Sequence, residues 1–347
     1  MKADLNTRGL LGRRAFIGGS VTVLAGARGA LAQDAGSINE RMQGDFVPVH
    51  DPCIIKQGDT SYLFCTTSRG DAGGFVACRR SRDLVNWEKA GFVFAQLPEW
   101  AREAVPGTKG IWAPDISFFN GRYHLYYSVS TFGSNHSVIG LATNKTLDPA
   151  GPGFEWVDRG PVVQSRKNDD FNAIDPNLCV DREGKCWLSW GSFWSGLKMA
   201  RIDPATGKRM EGARKLHSIA SRPVARGEPS PIEAPFIIAR GNFYYLFASF
   251  DFCCRGARSN YFVVCGRARE ITGPYLDVQG RSLLEGGGSI VIQGDERFKG
   301  TGHNAVLRDG EQDYLVYHAY DTQADGKPTL RISPIYWTPD EWPRAQL

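Results

Sequence analysis

The sequence has no segment that could cross a bilayer as a helix, no charge excess in its body and no paired CxxC motifs. Each absence removes a class of function. The apolar run from Ala15 to Ala27 is too short and too glycine-rich for a transmembrane span. Lysine and arginine number 41 against 37 acidic residues, but residues 1–32 hold five of those bases and one of those acids, so the remainder carries 36 of each sign. A neutral body gives no electrostatic footing for nucleic acid or an anionic membrane, and a neutral partner fits better. Without CxxC pairs there is no zinc-type site among the eight cysteines. The triplet Gly286-Gly287-Gly288 is followed by no helix pattern, which argues against a phosphate loop.

What is present at the start reads as an export signal. Arg13-Arg14 is a twin-arginine pair, an apolar run follows, and Ala30-Leu31-Ala32 offers small residues for cleavage before Gln33. The expectation is a twin-arginine signal peptide over 1–32 and a single soluble, monomeric domain over 33–347, periplasmic or secreted. That route carries folded cargo, so the fold should not require disulfides. Cys179 and Cys186 flank a turn and could face each other across a hairpin, whereas the adjacent pair Cys253-Cys254 is an unfavourable bridge. The expectation is buried thiols, with room for one bridge.

Forty glycines, nineteen prolines and many aromatics suggest short strands joined by turns. One pattern then recurs five times: a small residue or proline, an apolar strand, a glycine turn and an aromatic strand. The copies start at His50-Asp51-Pro52, Trp112-Ala113-Pro114, Ile174-Asp175-Pro176, Glu233-Ala234-Pro235 and His303-Asn304-Ala305. Prolines 52, 114, 176 and 235 align, with Ala305 taking the fifth place. Each interval leaves room for two further strands. Five repeats of about four strands specify an all-β, five-bladed β-propeller.

In a propeller the first strand of each blade lines the central channel, so the copy starts meet there. That gathers His50, Asp51, Trp112, Asp175, Glu233 and His303. A single Asp-Pro is ordinarily a carboxylate that accepts backbone N–H bonds. Three acids around one opening are another matter, because mutual repulsion and burial raise at least one pKa. Such a set keeps one carboxylic acid protonated beside an ionised one, as glycosidic bond hydrolysis requires. Asp115 lies one residue out of register and reads as structural. Phe118, Phe119, Tyr123 and Phe243 read as packing between blades, and Phe252-Cys253-Cys254-Arg255 as part of the rim.

Several longer stretches carry a resemblance: Val49-His-Asp-Pro52, Trp112-Ala-Pro-Asp-Ile116, Tyr127 to Asn135, Asn172-Ala-Ile-Asp-Pro-Asn177, Gly191-Ser-Phe-Trp-Ser-Gly196, Ile232-Glu-Ala-Pro235, Ser249 to Gly256 and Gly302-His-Asn304. Together they resemble the endo-1,5-α-L-arabinanases of glycoside hydrolase family forty-three, from roughly Phe46 to Pro343. The resemblance implies arabinan as the neutral polysaccharide substrate and inversion in a single displacement. It implies Asp51 as general base, Glu233 as general acid and Asp175 as the residue that orients Glu233 and holds its pKa up. An inverting pair stands roughly 6.5–9.5 Å apart, leaving room for water. The resemblance also implies that His303 touches a metal, usually calcium, although one imidazole is a poor site for an oxygen-seeking cation. Trp112, Phe132 and Trp194 are placed to pack on sugar faces, and Ser134, Asn172 and Ser192 to bond hydroxyls. Two alternatives stay open: an exo-acting α-L-arabinofuranosidase or β-xylosidase, and a non-catalytic carbohydrate-binding propeller.

Overall fold

Every apolar hairpin found in the sequence forms the inner half of an antiparallel sheet. The computed structural model describes residues 37–67, 73–213, 215–225, 228 and 230–347; the export signal expected over 1–32 lies outside them. A lead-in holds α1 (Ile38–Arg41) and β1 (Gln43–Gly44). Blade one is β2 (Cys53–Gln57), β3 (Thr60–Cys65), β4 (Phe75–Ser81) and β5 (Asn86–Phe94), and α2 (Glu99–Ala104) follows it. Blade two is β6 (Trp112–Phe119), β7 (Arg122–Val129), β8 (Ser137–Asn144) and β9 (Val157–Ser165). Blade three is β10 (Asn177–Val180), β11 (Cys186–Trp190), β12 (Leu197–Ile202) and β13 (His217–Ala220). Blade four is β14 (Ile232–Arg240), β15 (Phe243–Phe250), β16 (Phe262–Ala268) and β17 (Ser289–Gln293). Blade five has β18 (Phe298–Asp309), β19 (Gln312–Asp321) and β20 (Lys327–Pro334), and a small hairpin of β21 (Tyr336–Trp337) and β22 (Pro343–Arg344) ends the chain. The inner strands β2, β6, β10, β14 and β18 touch in ring order, and β18 returns to β2. The five-bladed propeller expected from the repeats is the fold.

The core is not one mass. Five hydrophobic clusters lie among the described residues, one per seam between neighbouring blades. Tyr62 and Phe64 meet Leu125 and Tyr127. Tyr126 and Leu141 meet Leu188 and Trp190. Met199 and Leu197 meet Leu246 and Tyr244. Tyr245 and Phe247 meet Leu315 and Tyr317. Val316, Leu330 and Ile332 meet Leu63 and Ile54, closing the circle. Each blade therefore buries both faces against its neighbours, which is why middle strands such as β7, β8 and β15 are buried along nearly their whole length rather than at alternate residues. Phe118 departs from its expected packing role: it sits beside the hairpin turn at Gly121 (φ 69°), is 54% exposed and sets its ring against that of Tyr123 in its own blade.

The lead-in closes the ring. Gln43 and Gly44 pair in parallel with Asn86 and Trp87 on the outer strand of blade one. A few residues later the same segment runs against blade five, where Leu330 N–H donates to the Phe46 carbonyl and Val49 N–H to that of Pro328. One short segment thus clasps the last blade to the first. The chain's other end extends blade four, through Ala345 N–H to the Val291 carbonyl.

The cysteines form six buried thiols and one bridge, as expected, but the bridge is not the pair the hairpin suggested. Cys179 lies opposite Trp187, and Cys186 opposite Val180. The two thiols therefore point to opposite faces of blade three, one into each flanking seam, and cannot bridge. Both are free. The disulfide present joins Cys253 to Cys254.

The inner strands carry the feature that builds the channel. At the mouth of each inner strand one non-glycine residue has positive φ: Asp51 (53°), Ala113 (41°), Asp175 (58°), Ala234 (56°) and His303 (50°). Sheet registers slip at this point, between Trp112 and Asp115, Glu233 and Phe236, and Gly302 and Ala305. This is a repeated bulge, and it corrects the alignment of the fifth copy: His303 matches Asp51, so Asn304 rather than Ala305 takes the proline's place. A bulged N–H leaves its ladder and needs another acceptor. Each finds one on the preceding blade: Asp51 on His318 Nδ1 (3.1 Å), Ala113 on Thr66 Oγ1 (2.7 Å), Asp175 on Ser128 Oγ (3.0 Å), Ala234 on Asp175 Oδ2 (3.2 Å) and His303 on Ser249 Oγ (2.9 Å). Changing Ser128→Ala orphans the buried Asp175 amide and is expected to lower unfolding stability by about 1–3 kcal/mol. Denaturant titration reads this, and an unchanged midpoint would contradict the role given to these bonds.

Candidate active site

Four of the five bulge acceptors come from the inner hairpin's second strand or the residue just past it, at matching places. Thr66 N–H donates to the His50 carbonyl, Ser128 pairs with Trp112, Ser249 with Glu233 and His318 with Gly302. In blade three the matching residue, whose N–H meets the Ile174 carbonyl, is Gly191. It has no side chain to offer, and a Cβ there would lie 2.8 Å from the Gly196 carbonyl oxygen. The amide of Ala234 therefore turns to the Asp175 carboxylate. The residue after Gly191, Ser192, donates from Oγ to Glu233 Oε2 at 2.7 Å. One missing side chain thus draws Asp175, Ser192 and Glu233 into a single knot.

All three acids open onto one cleft of about 1270 Å³. Its walls also carry Trp112, Phe132, Ser134, Asn172, Ser192, Trp194 and His303, so every residue given a catalytic, substrate or metal role from the sequence reaches the same cavity. They differ in character. Phe132 (84% exposed) and Trp194 (39%) stand at the rim with free ring surface. Asn172 is buried, and its Oδ1 accepts from Ser137 Oγ (2.7 Å), so part of its bonding capacity is spent inside blade two. Asp115 is buried away from the cleft, accepting from Asn177 Nδ2 (3.1 Å) and Leu178 N–H (2.8 Å); burial pushes its carboxyl up to about 6. It ties blade two to blade three, the structural role expected of it.

The two aspartates of the cleft live in opposed environments. Asp51 Oδ1 lies 2.8 Å from His50 Nδ1, 3.1 Å from His303 Nδ1 and 3.7 Å from His318 Nδ1, and Oδ2 accepts from Thr66 Oγ1 at 2.5 Å. Burial alone would raise its pKa, but His50 and then His303 hold it well below the usual carboxylate range. Burial likewise pushes Asp175 well above that range, joined by the charges of Glu233 and Asp51 and opposed by His303. Burial alone would lower His303, but Asp51 lifts it to about 9. His318 accepts the Asp51 N–H through Nδ1, so its proton sits on Nε2; burial keeps this ring neutral, well below the ordinary histidine value.

The donor set speaks on the calcium expected at His303. Such ions take six to eight oxygen ligands. His303 offers one nitrogen beyond that facing Asp51, and with its pKa near 9 a cation would first have to displace a proton. The donor clusters among the described residues, His50–Cys253–Cys254 and His50–Asp51–His318, both leave His303 out. These residues alone do not form a calcium cage.

Sequence reasoning missed Thr66, Ser128, Ser249 and His318. Their signal was present: a hydroxyl or imidazole near the end of the second strand in four of five copies, and glycine in the fifth.

A profile of the family described as Glycosyl hydrolases family 43 matches residues 47–343. An extracellular exo-α-(1→5)-L-arabinofuranosidase of Cellvibrio japonicus is 42% identical over 86% of both chains. An extracellular endo-α-(1→5)-L-arabinanase of Bacillus subtilis is 41% identical over 85% of this chain and 87% of its own. The solved Cellvibrio cellulosa α-L-arabinanase complexed with arabinohexaose superposes with a TM-score of 0.81 at 41% identity, covering 87% and 96% of the two chains.

The Asp51–His303 pair has a pH signature. His303 is raised in the folded state from 6.5 to about 9, so its stabilisation is complete below about pH 6.5 and vanishes as pH rises through about 9. The melting-temperature gap between wild type and His303→Gln is expected to be wide near pH 6 and closed near pH 10. A constant gap would contradict the pairing.

Proposed function

The chain belongs to glycosyl hydrolase family 43, and on that footing we propose that it is an exported arabinan hydrolase that cuts internal α-1,5-L-arabinofuranosidic bonds with inversion. The observation that carries the reading is the convergence of Asp51, Asp175 and Glu233, distant in sequence, on one open cleft whose rim bears exposed aromatic rings. A neutral body suits a neutral polysaccharide, and two relatives are named for arabinan bonds.

Asp51 is the general base. Held low by its histidines, it is ionised throughout the neutral range and can take a proton from water as the glycosidic bond breaks. Glu233 is the general acid, with one oxygen fixed by Ser192. Asp175 orients it by accepting the N–H of the next residue, Ala234, and its own carboxyl resists ionisation because it is buried. Phe132, Trp194 and Trp112 give flat apolar faces to the furanose rings, and Ser134 and Asn172 polar contacts. Calcium at His303, held largely by water, is kept as a proposal; it would supply positive charge beneath the acids, and no step above depends on it. Export rests on the twin-arginine pair, which we assign to the twin-arginine route, and on relatives named as extracellular.

Exo action is the second reading, because one relative of equal similarity is named for it. A time course on linear arabinan separates the two: oligosaccharides first supports internal cutting, and arabinose alone contradicts it. Glu233→Ala is expected to lose roughly 10²–10⁴ in rate. Retained turnover would remove Glu233 from the chemistry, and absence of turnover in the wild type would favour a binding module.

A further inference from the structure

The rim loop after β15 carries an arrangement that the acid cluster does not explain. Cys253 and Cys254 are bonded to each other, the only disulfide among the described residues; the other six cysteines are free and buried. Cys254 has φ 64°, a conformation a side-chain-bearing residue keeps only when its surroundings hold it there. In that conformation its N–H donates to Tyr320 Oη at 2.8 Å. An oxygen that accepts there directs its own proton elsewhere, and His50 Nε2 lies 2.7 Å away. An imidazole accepting at Nε2 carries its proton on Nδ1. That Nδ1 is the atom 2.8 Å from Asp51 Oδ1, in a close but poorly aligned contact. The chain from amide to phenol to imidazole to carboxylate thus has a single consistent direction. It starts at the bridged cysteines and ends on the proposed base.

We infer that the Cys253–Cys254 bridge is a positioning device for Asp51, acting through Tyr320 and His50, and that opening it slows the reaction more than it weakens substrate binding. The inference rests on the reading of Asp51 as base. The bridge locks the peptide between its two cysteines. Once opened, Cys254 is free to leave positive φ, its amide swings off Tyr320, and His50 loses the partner that fixes its ring. A poorly aligned contact such as His50–Asp51 depends most on such support. Opening needs a reductant: a small dithiol passes two electrons and two protons to the Sγ atoms, leaving two thiols while the reagent closes to its own disulfide. Because the other cysteines are already thiols, the reagent has this one target among the described residues.

The test uses purified enzyme on an arabinan oligosaccharide. Native thiol titration after dithiol treatment should show two new thiols. With them kcat is expected to fall about tenfold, within the range that small misplacements of catalytic groups produce, while KM stays within about twofold. Reoxidation should restore kcat. Tyr320→Phe is expected to show a comparable kcat loss and to stop responding to the dithiol, since both changes act on one path. Unchanged kcat with two thiols exposed would overturn the inference. So would a change confined to KM, which would make the bridge part of the sugar-binding rim, or a Tyr320→Phe enzyme as sensitive to reduction as the wild type. If Tyr320→Phe does not fold, the reduction and reoxidation cycle decides alone. An oxidised wild type inactive on arabinan would instead sink the proposed function.

Discussion

The hydrogen bond from Ala234 N–H to Asp175 Oδ2 is the constraint on which the cleft depends. It exists because the propeller repeats a bulge at the mouth of every inner strand, and every bulge frees an amide. Hydroxyls or an imidazole absorb four of them. The fifth meets a glycine, so a carboxylate must serve, and that carboxylate stands beside the one residue, Glu233, that precedes a bulge with an acid. Structural necessity and chemistry meet at the seam between blades three and four. The positive φ of Asp51 and Asp175 belongs to the same device: a bulge turns side chains that a regular strand would bury in a seam toward the channel.

The fold then differentiates residues that the sequence shows as equivalent. Asp51 and Asp175 both precede proline and both sit at positive φ, yet one is surrounded by three histidines and the other faces two carboxylates and a single histidine. Their pKa values move in opposite directions from similar burial. Separation of this kind lets carboxyl groups within one cavity take different parts in acid–base chemistry. The seams keep it rigid, since no blade can shift without disturbing two of the five clusters.

Proline and glycine punctuation made the blades and the acids legible, because backbone constraints repeat with the fold and leave a mark at each turn. The fifth copy was read one residue late, since Asn304 replaces the proline and only the backbone angle at His303 reveals the match. Gly191 carried no signal of its own; its meaning is a missing acceptor, visible only against four other blades. His50 was noticed, but its partner Tyr320 lies 270 residues away and across the ring closure. The same distance hid the clasp made by Phe46 and Val49 on blade five. Cys179 and Cys186 misled because proximity across a hairpin says nothing about facing: an odd register offset put them on opposite sides of the sheet.

Inversion requires Asp51 and Glu233 to act from opposite sides of one bond, with water delivered directly to the anomeric carbon. Proton NMR of the first sugar released, taken before mutarotation, tests this most directly. A β-furanose end is expected first from an α-linked chain, with the α form growing in only later. An α-configured product at the earliest times would contradict it.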